Sequence, residues 1–135
     1  MGYQTTFSGH FDIAPALTPE DREFLLKLSN SRRMARKVGP EFGMEGEFYV
    51  ADEGIEERDF ENPNIIDEDR PPSTQPSLWC HWAPNASGTA LQWNGREKFY
   101  EYVAWIEYLV EAILEPRGFT LNGTCLLYTS DAADE

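Results

Sequence analysis

Few residues in this chain have the chemical reach for catalysis, and the most suggestive of them are Cys80 and the adjacent His81. A nucleophilic thiol needs a base within hydrogen-bond reach. Residues 78–82, however, read as a strand, with Leu78, Cys80 and Trp82 on one face and Trp79 and His81 on the other. Adjacent strand side chains project to opposite faces, so the pair is not expected to form a dyad. Cys80 is expected to be a small buried hydrophobe. A zinc centre has no better support. Without Cys125, the chain offers one cysteine and two histidines, His10 and His81, with no paired ligand spacing. No metal, no cofactor and no catalytic residue is therefore assigned, and the expectation leans away from an enzyme. Neither of the glycine-rich phosphate-binding patterns occurs, so nucleotide binding lacks a motif.

The carboxylates are concentrated instead of paired. Segment 52–69 holds nine of them against Arg58 alone, a local charge of −8. Asp67, Glu68 and Asp69 are its densest run, but they lack the spaced ligands and central glycine of an EF-hand loop. The tract is expected to be a solvated, proline-rich insertion over residues 52–77, extended or disordered by self-repulsion. Phe60, Ile65 and Ile66 are expected to pin it locally. Two further uses are open: a phosphate-like surface that blocks a DNA-binding protein, or an internal partner for Arg32, Arg33, Arg36 and Lys37. Direct binding to duplex DNA is not expected of an acidic loop, because a phosphate backbone requires cations. Glu97, Glu101, Glu107, Glu111 and Glu115 read as the polar side of a helix.

Four tryptophans, Trp79, Trp82, Trp93 and Trp105, crowd into residues 78–106. Alternation cannot turn both Trp79 and Trp82 to the core. Trp79, His81 and Trp93, with Asp67, Glu68 and Asp69, are therefore the candidate contacts for a protein partner, since amphipathic aromatics commonly anchor interfaces.

Several elements must position these residues. Residues 3–11 alternate as a half-buried strand. Thr18, Pro19, Glu20 and Asp21 open a helix as cap, first-turn proline and dipole-matched acids. Phe24, Leu25 and Leu28 form its apolar face, the four cations lie toward its C-terminal end, and Gly39 and Pro40 stop it. Residues 47–51 read as a short strand. Residues 78–82 and 89–93 form a hairpin, and Asn94 and Gly95 turn the chain into a helix over 96–115. Phe99, Val103, Ile106, Val110 and Ile113 make the apolar stripe of that helix. A last strand begins at 119–121, with Asn122 and Gly123 as a turn. This order predicts one α+β domain over residues 1–124, with an antiparallel or mixed sheet of about four or five strands and both helices on one face, a ferredoxin-like variant of the split βαβ pattern.

The 135 residues carry a formal net charge of −13. Residues 125–135 look like translated transposon-type sequencing adapter, read in one frame across the whole segment. On that reading the native chain is interrupted near Thr124. Without the tail carboxylates Asp131, Asp134 and Glu135 the charge is −10, and outside segment 52–69 it is only −2. A single remaining cysteine agrees with a reducing cytoplasm. The N-terminus has neither a basic start nor an apolar run, and no stretch approaches the roughly 18 apolar residues of a membrane helix. Asn85 and Asn122 fit the glycosylation pattern but are read as turn residues.

Taken together, Met1, Gly2, Tyr3, Thr5 and Phe7, the run Ser31, Arg32, Arg33 and Met34, the Leu78, Trp79, Cys80 and Trp82 cluster, and Glu97, Lys98, Phe99, Tyr100 and Tyr102 followed by Trp105 and Leu109 resemble a family of small uncharacterised proteins of bacteriophages and of bacterial genomes carrying phage-like genes. The resemblance spans most of residues 1–124 and brings no catalytic motif. It implies an accessory role exercised through protein–protein interaction, with oligomeric state open.

Overall fold

The computed structural model of the chain describes residues 3–51, 62–96 and 99–131. Strand β1 (Tyr3–Ala14) runs through the centre of a four-stranded sheet. Helix α1 (Pro19–Asn30) follows, opened by the expected cap: Thr18 Oγ1 accepts from Asp21 N at 3.1 Å, with Pro19 in the first turn. Strands β2 (Ala35–Arg36) and β3 (Ile65–Asp67) form a separate two-stranded ladder. Strands β4 (Trp82–Pro84) and β5 (Ala90–Trp93) make the hairpin, and helix α2 (Tyr102–Tyr108) leads through a π-helical segment, Leu109–Leu114, into β6 (Thr120–Asp131).

The main sheet has the order β4-β5-β1-β6, antiparallel throughout. Leaving aside the small β2–β3 ladder, this is the split βαβ arrangement. The α+β expectation holds, while residues 47–51, read as a short strand, form none. Phe7, Ile13, Leu91 and Trp82 line one face of the sheet in a single core with Leu25 and Leu28 of α1 and Trp105, Leu109, Ile113 and Leu114 of the second helical segment. Ser8, His10, Asp12, Gln92, Thr120 and Asn122 are exposed on the strands. Both helices thus cover one face, and the other is polar.

Three local departures have physical causes. Helix α1 ends at Asn30, with Ser31 as its C-cap, so Arg32, Arg33, Arg36 and Lys37 lie beyond it and the helix dipole does not account for them. The second helix starts at Tyr102, because Glu101 takes a left-handed conformation (φ 58) that cannot propagate backward as a helix; residues 97 and 98 lie outside the described set. Val103, expected in the apolar stripe, is 61% exposed, and Trp105 takes the core position. The wider π turn then lets Leu109, Ile113 and Leu114 all point inward.

Asn122 and Gly123 do not turn the chain. They lie within β6, paired with Asp12 and Phe11, and the strand continues so that Cys125 to Asp131 face Gly9 to Tyr3 in register. The apolar, β-prone start of the tail-like segment thereby supplies the ladder partner for the first half of β1. Asn85 does staple a loop: its Oδ1 accepts from Thr89 N at 2.9 Å and from Ala90 N at 3.1 Å.

Candidate functional site

The cysteine–histidine proposal fails on finer grounds than alternation. Residues 78–81 are not a strand; β4 begins only at Trp82. Cys80 and His81 are both buried, at 0% and 4% exposure. The Cys80 thiol is pushed up to about 12 by burial and donates weakly to Trp82 O at 3.5 Å. A nucleophile needs the opposite shift. Burial pushes the His81 imidazole down to about 4, and the neighbouring Arg96 charge adds to the effect. Its ring stacks on Phe99 at 4.8 Å, and its Nδ1 is enclosed without a hydrogen-bond partner. His81 is therefore a core residue and presents no contact surface.

The structure nevertheless gathers the three aromatic candidates around one residue. The Arg96 guanidinium lies 5.7 Å from the centre of the Trp79 ring. Trp93 Nε1 donates to Arg96 O at 2.9 Å, and Arg96 itself reaches Ser29 O at 3.1 Å and the Asn30 side chain. Trp79 and Trp93 are half-buried, with Trp93 packed on Phe7 at 5.5 Å. Beside Trp79, Ser77 accepts from Trp105 Nε1 at 2.8 Å and lies within hydrogen-bond range of Trp79 O (3.2 Å) and Tyr100 O (3.4 Å). The hydroxyl thus fixes the Trp79 segment against the entry of α2. Tyr100 is 66% exposed there, and Val103, the second residue of α2, is also exposed. Ser77 thus holds the Trp79 and Tyr100 backbones together, and Val103 is a further exposed apolar group at the start of α2. Spacing in sequence could not reveal Tyr100 or Val103 as surface groups, because a regular helix from residue 96 would bury Val103.

The acidic candidates have a different fate. Arg32 Nε donates to Glu68 O at 2.9 Å, and Arg32 Nη2 approaches Asp69 Oδ1 at 3.4 Å. Asp67 pairs with Ala35 in the β2–β3 ladder, and its Oδ1 accepts from Asp69 N at 2.9 Å. Residues 62–77 are therefore not an extended solvated tract; backbone pairing and the cations after α1 hold them. Ile65 is half-buried, while Ile66 is exposed. Phe60 and the carboxylates from Asp52 to Glu61 lie outside the described residues. No cluster of metal-ligating side chains occurs among the described residues.

Sequence reading missed an interior polar network. Arg33 is buried, donating from Nε to Gln75 Oε1 at 3.2 Å and from Nη2 to Glu47 O at 3.0 Å. Gln75 Nε2 reaches Glu47 O at 2.6 Å and Tyr108 Oη at 3.0 Å, and Tyr108 Oη donates to Glu47 Oε2 at 2.7 Å. Burial raises the Tyr108 phenol above its ordinary range, so the hydroxyl stays protonated and donates. Nearby, Gly46 (φ 77) is required: a Cβ there would fall 2.9 Å from Arg36 Cβ. At the surface, Arg70 grips Glu45 at 2.7 Å; that hydrogen bond and those from Ser73 lower the Glu45 carboxyl to about 2. Glu47 and Gln75 thereby join the segments after α1 to Tyr108 of the second helix. The hydrogen-bonding capacity of these groups is spent on structure, which leaves no activated acid–base pair among them.

Comparison with protein-family models, curated proteins and solved structures finds no match to this chain. No helix among the described residues is long and apolar enough to cross a membrane.

Proposed function

We propose that this protein is a non-enzymatic accessory module of phage or prophage type that acts by binding another protein, with the Trp79, Tyr100 and Val103 corner as its contact surface. The observation that carries the reading is the rigid presentation of exposed apolar groups. Tyr100 and Val103 stand out of the surface at 66% and 61% exposure, beside a segment pinned by Ser77 and Trp105. An interface anchor that is ordered before binding loses little conformational freedom on association. Arg96 and Trp79 supply the cationic and aromatic groups that binding hot spots favour. The groups best suited to catalysis contribute to the same conclusion, since the Cys80 thiol and the His81 imidazole are both held in their neutral forms at neutral pH.

The nucleic-acid-mimic alternative draws less support. In the described part of the acidic segment, Asp69 faces Arg32 and the backbone of Glu68 is bonded to the same guanidinium. A cytoplasmic setting agrees with the buried, reduced Cys80. The test is affinity capture from phage-infected host cells, comparing the unaltered chain with Tyr100→Glu/Val103→Glu. Loss of a specific partner in the double variant is expected, and an unchanged partner set contradicts the reading.

A further inference from the structure

The sequence contains two Asn-Gly pairs, Asn94 with Gly95 and Asn122 with Gly123, and the fold treats them in opposite ways. We propose that Asn94 is a site of spontaneous succinimide-mediated modification, which converts it to aspartate or isoaspartate, while Asn122 is protected.

Asn94 lies just past the end of β5, held on one side by its N–H donating to His81 O at 2.9 Å. Its Oδ1 accepts from Arg96 N at 3.0 Å, which polarises the side-chain carbonyl and stabilises negative charge developing on that oxygen. The amide Nδ2 is enclosed without a hydrogen-bond partner, so its departure breaks no such bond. Gly95 is exposed, adopts φ +89, and has no atom within 4 Å of where a Cβ would sit. Asn94 and Gly95 thus sit in an open bend past the end of β5, outside the ladder, where water can reach the product.

The step balances without a redox partner. The Gly95 backbone nitrogen gives up its proton to solvent base and bonds to Asn94 Cγ. The Cγ–Nδ2 bond breaks, and the nitrogen, enclosed in the resting turn, leaves as ammonia once the turn opens and water protonates it. Water then opens the five-membered imide at either carbonyl, so the net change is one water consumed and one ammonia released.

Asn122 cannot follow this path without local unfolding. It pairs with Asp12 and Gly123 pairs with Phe11, inside the β1–β6 ladder. The backbone of the neighbouring strand is close, with His10 O 3.1 Å from a Cβ position on Gly123. Ring closure requires rotation of Asn122 out of the extended conformation and loss of ladder hydrogen bonds. Two such bonds, at about 1 kcal/mol each, make closure at Asn122 slower by at least about tenfold.

The experiment incubates the folded chain at mildly alkaline pH and follows both sites by peptide mass spectrometry and isoaspartate methylation, with a parallel sample in concentrated urea. In the folded chain Asn94 is expected to convert at least about tenfold faster than Asn122, and in urea the two rates should converge. Equal rates in the folded chain, or faster conversion at Asn122, overturn the proposal. So does an Asn94 rate that rises steeply on unfolding, because the folded turn would then be protective.

Discussion

Trp105 Nε1 donates to Ser77 Oγ at 2.8 Å, joining the middle of α2 to the segment that carries Trp79. The indole is fully buried, so its N–H has no recourse to water if the hydroxyl is removed. Ser77→Ala should therefore lower stability by about 1–3 kcal/mol, the cost of leaving a buried donor unsatisfied. Urea unfolding followed by tryptophan fluorescence measures it. A change within a few tenths of a kcal/mol would show that the clamp does not order this corner.

Acid should weaken the fold through His81. Its folded value of about 4 lies below its ordinary 6.5, so the unfolded chain binds more protons between those limits. The stabilising contribution is complete above pH 6.5 and is lost as pH falls toward 4, amounting to up to about 3 kcal/mol. Glu45 acts in a separate, lower window: its stabilisation is present above 4.5 and is lost as pH falls through about 2. His81→Phe, measured by denaturant unfolding across pH 2–7, should flatten the first slope and leave the second. A wild-type curve without slope between about 4 and 6.5 would contradict the burial of a neutral imidazole.

Cys80 should resist alkylation while the domain is folded, because its thiol is fully buried and raised to about 12. In a Cys125→Ser background, iodoacetamide labelling should follow global unfolding, with a rate that rises in parallel with denaturant. Rapid labelling in native buffer would place the thiol at the surface.

Truncation after Thr124 removes every ladder partner of Tyr3 to Gly9. The freed edge should promote self-association, which sedimentation or light scattering detects. If the truncated chain stays monomeric and equally stable, the pairing of β1 with residues 125–131 contributes nothing to the fold.

Much of the architecture was legible because it rests on short-range signals. Thr18 and Pro19 opened α1 as their types require, and alternation placed β1 and β5, whereas the first hairpin strand, read as 78–82, spans Trp82–Pro84. Side-chain partners far apart in sequence were not legible. Arg33, Gln75, Glu47 and Tyr108 meet only because segments 31–51 and 62–77 pack against the second helix, and none of their local patterns signals burial. The arginines after α1 illustrate the difficulty. A place in the last turn of a helix explained them economically, yet the helix stops at Asn30, Arg32 holds Glu68 and Asp69, and Arg33 holds Gln75. Periodicity also misassigned Val103, since it assumes an unbroken helix and Glu101 breaks it. The candidate site was thus half visible. Trp79 and Trp93 do converge, on Arg96, but His81 sits in the core and Tyr100 takes its place at the surface.

The most direct test of a binding role is the capture experiment with two surfaces compared. Tyr100→Glu/Val103→Glu alters the apolar corner, and Asp12→Lys alters the polar face of the sheet, where Asp12 is exposed. All variants should first show unchanged circular dichroism. The account predicts that the corner variant loses a stoichiometric protein partner and the sheet variant retains it. Retention of the partner by the corner variant would contradict the account.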